Sequence, residues 1–189
     1  KKQLQMSFDL MALLLIPMMI GVATLAEPIM RFVGGDEFIG SGKILVWLSW
    51  TILGICMGIV FGYTALSINQ QKQAVWIYLS DAILSIVGYF IFIPRFGIYG
   101  AAGVTIFSEI YAGTMLMFLV FYHTKFFPNP KSLIKILLAG SIMFLCIKYL
   151  QLPHVVLSIL LGGIVYTICI LLFKVISRDT INEIIRAKN

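Results

Sequence analysis

The sequence predicts an all-α integral membrane protein of six transmembrane helices, and three observations carry that reading. Of 189 residues, 60% are hydrophobic and 12% charged. Mean hydropathy is +1.00, outside the range of a domain that must present a polar surface to water. The apolar residues also gather into six stretches, each of the roughly 20 residues that a hydrocarbon core requires. Backbone N–H and C=O groups find no water in that core, so each stretch satisfies its own as a helix.

The first span covers 10–30 and holds Pro17 and Glu27; Pro17 removes one backbone hydrogen bond and predicts a kink. The second, 44–68, has no charge and carries Gly54, Gly58 and Gly62 every fourth residue, a stripe on which a neighbouring helix can approach closely or move. The third, 74–94, contains Asp81, and the fourth, 98–122, contains Glu109. The fifth, 133–152, has Lys135 and Lys148 near its ends, and 155–173 is the sixth. The links carry turn residues, namely Gly34-Gly35-Asp36, Asn69-Gln70-Gln71-Lys72, Pro94-Arg95-Phe96-Gly97, Pro128-Asn129-Pro130 and Pro153, so consecutive helices are expected as antiparallel neighbours. Beyond the sixth span, Thr180 and Glu183 have capping-box spacing and Ile181, Ile184 and Ile185 form an apolar side, which predicts a short amphipathic helix on the membrane surface.

Ten of the 14 basic residues fall on the side of the two ends, at 1, 2, 72, 125, 131, 135, 174, 178, 186 and 188; Arg31, Lys43, Arg95 and Lys148 fall on the other. The bias predicts that both ends are cytoplasmic. A reporter fused at Gly35 is accordingly expected outside, and a cytoplasmic signal from it would reverse the topology. The formal net charge of +6 does not indicate nucleic acid, because the basic residues form no stripe with aromatics. Cys56, Cys146 and Cys169 lie in apolar stretches, with neither disulfide nor metal spacing. No metal-binding His-Glu-x-x-His, phosphate-cradling loop or nucleophile elbow is present, and His123 and His154 fall at opposite boundaries, so no enzyme chemistry and no metal site are expected.

Asp81 and Glu109 stand out chemically. At 1.5 Å per residue they lie about 10 and 16 Å in from the starts of their helices, where an ionised carboxylate costs about 2.5 to 3.5 kcal/mol. Helical spacing places Ser85 and Gly88 beside Asp81, and Thr105 and Gly113 beside Glu109. Two roles fit: carboxyls lining a water-filled transport cavity, where they bind a cation or a proton, or neutral acids hydrogen-bonded to a nearby hydroxyl or carbonyl. Glu27 pairs with Arg31 four residues on or faces the cavity mouth, and Lys148 is an interfacial anchor or an anion contact at that mouth. Among the aromatics, Trp50 and Tyr63 lie deep enough to form cavity wall.

Three places resemble polysaccharide (O-antigen type) flippases of the multidrug, oligosaccharidyl-lipid and polysaccharide exporter superfamily. Pro17 is followed by Glu27-Pro28-Ile29-Met30-Arg31-Phe32-Val33-Gly34 and Glu37-Phe38, like that family's apolar helix end and following Glu-Phe. Ala65-Leu66-Ser67-Ile68-Asn69 and Lys72 close the second span as the family's turn does, with Gln70 and Gln71 where Gly is common. Ile93-Pro94-Arg95-Phe96-Gly97-Ile98-Tyr99-Gly100-Ala101-Ala102 resembles the family's helix junction, which marks Gly97 and Gly100 for packing or conformational change.

The resemblance implies the last six helices of a fourteen-helix transporter. It divides the chain into a cytoplasmic lead-in (1–9), four helices of the C-terminal lobe (10–122), two additional helices (123–173) and a cytoplasmic tail (174–189). The implied partners are membrane lipid, the remaining N-terminal helices of the parent chain and a polyprenyl-diphosphate-linked oligosaccharide, moved across the cytoplasmic membrane by alternating access. No cofactor is implied beyond a coupling proton or sodium ion. A cation-coupled multidrug or toxic-compound exporter of the same superfamily is the alternative, and a membrane anchor or assembly subunit with no transport role is the second.

Overall fold

A computed structural model describes residues 1–150, 152, 154–173 and 175. Six helical segments in it are long and apolar enough to cross a membrane. The Pro153 turn and the amphipathic tail expected around residues 179–185 lie outside the described residues.

The helices are α1 (Lys2–Thr24), α2 (Ala26–Gly34), α3 (Gly42–Ser49), α4 (Thr51–Ser67), α5 (Gln71–Phe96), α6 (Ile98–Thr124), α7 (Pro130–Leu150) and α8 (Val155–Leu172), with a 3-10 turn over Asp36–Ser41. The last four spans agree with the sequence to within about three residues. The first two do not. α1 starts at Lys2, well before residue 10, and the first span ends at Thr24 in place of residue 30, with α2 as a separate short helix. The break has a cause in Pro28, which offers no N–H to the Thr24 carbonyl and whose ring crowds it. Thr24 Oγ1 turns back to the Ile20 carbonyl at 2.6 Å. The second span is interrupted at Trp50, between α3 and α4. There Ser49 Oγ bonds the Val46 carbonyl at 2.7 Å and Thr51 Oγ1 the Leu48 carbonyl at 2.6 Å, hydroxyl competition that bends helices.

Pro17 behaves differently from Pro28, since α1 runs through it unbroken. A proline at 17 leaves the carbonyl of residue 13 without its helical donor. Tyr166 of α8 supplies one: its buried hydroxyl donates to the Leu13 carbonyl at 2.9 Å. The orphan that proline creates in α1 thus becomes the polar contact that docks α8. Tyr166→Phe is expected to cost about 1 to 3 kcal/mol, the range for an unsatisfied buried acceptor. In a Pro17→Ala background the helical N–H returns and the same change should be near neutral. A thermal-stability double-mutant cycle measures the difference, and equal losses in both backgrounds would disprove the coupling.

Consecutive helices are not consistently neighbours. α4 packs chiefly on α6 and touches α5 little, while α7 packs on α1 and α8. Short links therefore fixed direction but not adjacency. Two apolar clusters result. One joins α4, α5 and α6 to α1 through Phe8, Phe61, Ala65, Ala74, Leu116 and Val120; the other joins α7 and α8 to α1 through Ala12, Ile16, Ile136, Met143 and Tyr166. α1 belongs to both. Lys135 reaches the C-terminus of α8, donating to the Phe173 carbonyl at 3.0 Å where the helix leaves acceptors unpaired.

Glycines set the closest approaches. A Cβ at Gly54 would collide with the backbone carbonyl group of Glu109, and one at Gly113 would lie 2.7 Å from the Gly54 oxygen. Of the expected stripe, Gly62 faces Tyr78 and Leu116, whereas a Cβ at Gly58 would meet nothing within 4 Å. Gly97 turns the chain between α5 and α6 with φ +57°, and Gly100 lets the start of α6 lie against the backbone at Phe92.

Candidate functional site

α5 and α6 run antiparallel from the Gly97 turn, so residues nearer the turn on one meet residues nearer the turn on the other. Each side of the seam carries hydroxyls at helical spacing, and they pair across it. Tyr89 Oη and Thr105 Oγ1 are 3.0 Å apart, Ser108 Oγ donates to Asp81 Oδ2 at 2.8 Å, and Ser80 Oγ and Tyr111 Oη are 3.0 Å apart. Two polar atoms in this seam are buried without a partner, Asp81 Oδ1 and Ser85 Oγ. Buried polar groups left unsatisfied are uncommon and costly, so these two single out this part of the seam.

Glu109 lies next to Ser108 in sequence and interacts electrostatically with Asp81; the Tyr78 side chain interacts with both carboxyls. The two acids expected from separate helices therefore belong to one site. Asp81 and Glu109 are each half-buried as residues, although Asp81 Oδ1 itself is covered. The backbone of Glu109 is held against α4 by the Gly54 contact, so a close helix crossing also sets the position of this carboxyl.

Two expected surroundings differ. Thr105 is engaged by Tyr89 and donates to the Ala101 carbonyl at 3.0 Å, which takes it from Glu109. Gly113 is buried against α4 and supplies close packing in place of a polar environment. Ser85 is near Asp81 as spacing required, yet makes no bond to it. The sequence reading passed over Ser108, Tyr78, Tyr89 and Tyr111 as site residues. Ser108 was within reach of it, because positions 101, 105, 108 and 112 form one face of α6 and a hydroxyl there faces whichever helix returns from the turn.

A second polar region lies where α1 ends and α8 begins. Glu27 and Arg31 of α2, Lys148 of α7 and His154 line a cavity of about 760 Å³. Glu27 and Lys148, read as mouth residues, thus open onto the same cavity. The expected Glu27 to Arg31 pair does not form: Arg31 Nε bonds Asp36 Oδ1 at 2.9 Å, because the chain turn at Gly35 brings that carboxylate back to the end of α2. Lys148 rests its ammonium 5.6 Å from the centre of the Phe144 ring. Trp50 lines a separate cavity of about 530 Å³ with Ser49 and Met19, while Tyr63 is largely exposed. A third, apolar groove of about 600 Å³ runs along α5 and α6 past Trp47, Phe92, Tyr99 and Phe107. Among the described residues no group of three or more His, Cys, Asp or Glu side chains is arranged to hold a metal.

No protein-family model and no curated protein sequence matches the chain. Among solved structures it is similar to the lipid II flippase MurJ in an inward closed conformation, with a TM-score of 0.74 and 24% sequence identity over 88% of this chain. The chain spans 37% of that structure's length. The likeness establishes a shared helical fold.

Proposed function

We propose that this chain is part of a flippase that moves a polyprenyl-diphosphate-linked oligosaccharide across the cytoplasmic membrane for cell-surface polysaccharide biosynthesis, by alternating access between two helical lobes. The fold likeness to a lipid II flippase supports the lipid-linked class of substrate, and the motif resemblance of the 93–102 junction supports the polysaccharide branch. The chain's share of that neighbour leaves room for a second lobe supplied by further N-terminal helices of the parent protein. In this reading 10–122 belong to the C-terminal lobe, 123–173 are two additional helices, and both ends are cytoplasmic.

The observation that carries a transport mechanism is the Asp81–Ser108–Glu109 cluster. Two interacting carboxyls in an apolar layer hold a shared proton or a cation more readily than two free negative charges. The unpartnered Asp81 Oδ1 and Ser85 Oγ are the atoms such a proton or sodium ion would meet. Loading and release of that charge would bias the lobe between its two orientations. The same cluster favours a second reading, a cation-coupled multidrug exporter, in which acidic cavity residues drive the export of small cations.

Vesicles containing the full-length protein test the two readings, with and without an imposed proton or sodium gradient. Movement of lipid-linked oligosaccharide that depends on the gradient, and is lost in an Asp81→Asn, Glu109→Gln double variant, is the expected result. Export of small cationic compounds with no lipid-linked sugar movement would transfer the function to drug export. Unaltered transport in the double variant at normal expression would remove the carboxyls from the mechanism.

A further inference from the structure

The 760 Å³ cavity between α2, α7 and the start of α8 has no part in the carboxyl cluster, and its chemistry is of mixed sign. Arg31 and Lys148 bring two positive charges and Glu27 one negative charge to the same rim. Opposite charges sharing a rim normally close on one another. Here they do not: neither Glu27 nor Lys148 has an ion-pair partner among the described residues, and the Lys148 ammonium lies over an aromatic ring. Arg31 commits only its Nε to Asp36, which leaves the two terminal nitrogens of the guanidinium and their donors available.

The floor and the depth narrow the occupant. Beside the charged groups the lining is mostly apolar, with Ala23, Leu25, Ile147 and Val155 together with the hydroxyl residues Thr24 and Ser158. The cavity lies where α1 and α7 stop and α8 starts, at the end of the spans, the level at which headgroups meet a transmembrane protein. α8 begins there at Val155, and its N-cap residue His154 makes no side-chain capping bond. The first-turn N–H groups of a helix have no partner within it and favour an anion. Positive groups on two elements, a helix start without a capping bond from its own N-cap side chain on a third and a separate carboxylate match a molecule that carries a phosphate and an ammonium together.

We propose that this cavity binds the headgroup of a zwitterionic aminophospholipid, its phosphate held by Lys148, Arg31 and the start of α8 and its ammonium by Glu27. The site is independent of the transported substrate and stands whether the protein exports lipid-linked sugar or drugs. It ties α2 to the α7–α8 pair through a lipid.

The test uses the full-length protein in detergent, equilibrated with an equimolar mixture of dioleoyl phosphatidylethanolamine and dioleoyl phosphatidylglycerol, with retained lipid counted by native mass spectrometry. The ethanolamine lipid is expected to be retained in preference. Lys148→Gln should lower retention of both lipids about tenfold, the loss of one charge-assisted hydrogen bond, and Lys148→Arg should restore it. Glu27→Gln should abolish the preference between the two lipids while binding persists. Soluble phosphoethanolamine distinguishes the two sources of this chemistry: displacement at matched concentration assigns the cavity to a free aminophosphate, and none assigns it to the lipid. A wild-type preference for phosphatidylglycerol, or equal retention by wild type and Lys148→Gln, would overturn the proposal. All these side chains stand at an exposed rim, so the variants are expected to fold, and an unchanged melting profile of the unliganded protein checks it.

Discussion

Gly54→Ala is expected to destabilise the helix bundle by about 2 to 3 kcal/mol, while Gly58→Ala, one turn further on, should be neutral or slightly stabilising. Alanine improves an isolated helix by about 1 kcal/mol over glycine, so the default effect of both changes is favourable. What separates them is the partner. At Gly54 the new methyl meets the carbonyl group of Glu109, which is backbone, and no rotamer change relieves it; α6 has to move away from α4. Overpacking of this kind costs about 1 to 3 kcal/mol, and here the cost extends along a whole helix contact. At Gly58 the methyl enters open space. Gly113→Ala attacks the same crossing from the other side, facing the Gly54 oxygen and Met57 Cβ. Once one substitution has separated the helices the second has less left to lose, so the Gly54, Gly113 double variant should fall short of the summed single losses. The fraction of monodisperse protein surviving a temperature series measures all four. Equal damage from Gly54 and Gly58 would mean that the crossing is not where the structure has it.

That stripe also shows how far a membrane sequence can be read. The spans were legible because each helix must satisfy its backbone internally over a fixed thickness, a constraint visible in composition alone. Which helices touch was not, because lipid is as apolar as a leucine side chain and hydrophobicity no longer distinguishes a packed face from a lipid-facing one. Gly54 announced a close approach without saying that α6 makes it. Pro17 and Pro28 illustrate the same limit. Pro17 was visible as a breaker and Pro28 was read as part of the first span, but whether a proline breaks a helix depends on what meets the freed carbonyl, and the donor for Leu13 lies 153 residues away on Tyr166. At the site, Asp81 and Glu109 could be singled out by the cost of burying charge. Their pairing, and the loss of Thr105 to Tyr89, required knowing the register in which α5 and α6 meet.

Asp81→Asn should cost transport far more than stability, and that separation is the sharpest check on the carboxyl cluster. The amide keeps an oxygen to accept the Ser108 hydroxyl, now 2.8 Å from Oδ2. Its nitrogen places a donor where Oδ1 has no partner, with the equally unpartnered Ser85 Oγ as a nearby acceptor. Removing a charge from the apolar layer also lowers the burial penalty, so melting should be unchanged or raised. What the amide cannot do is take up and release a proton, or offer negative charge to a cation. A coupled transporter would therefore lose gradient-driven flux by about tenfold or more, equivalent to at least about 1.4 kcal/mol of lost coupling. Ser108→Ala reverses the pattern: the carboxyl keeps its titration but loses its hydroxyl donor, so about 1 kcal/mol of stability should go while gradient dependence remains. If the cluster were only a structural hydrogen-bonded acid, the order would invert, with Asp81→Asn silent in transport and both variants read out by melting alone. Measuring flux and melting on the same two variants therefore decides between a coupling site and a packing contact, whichever substrate the protein carries.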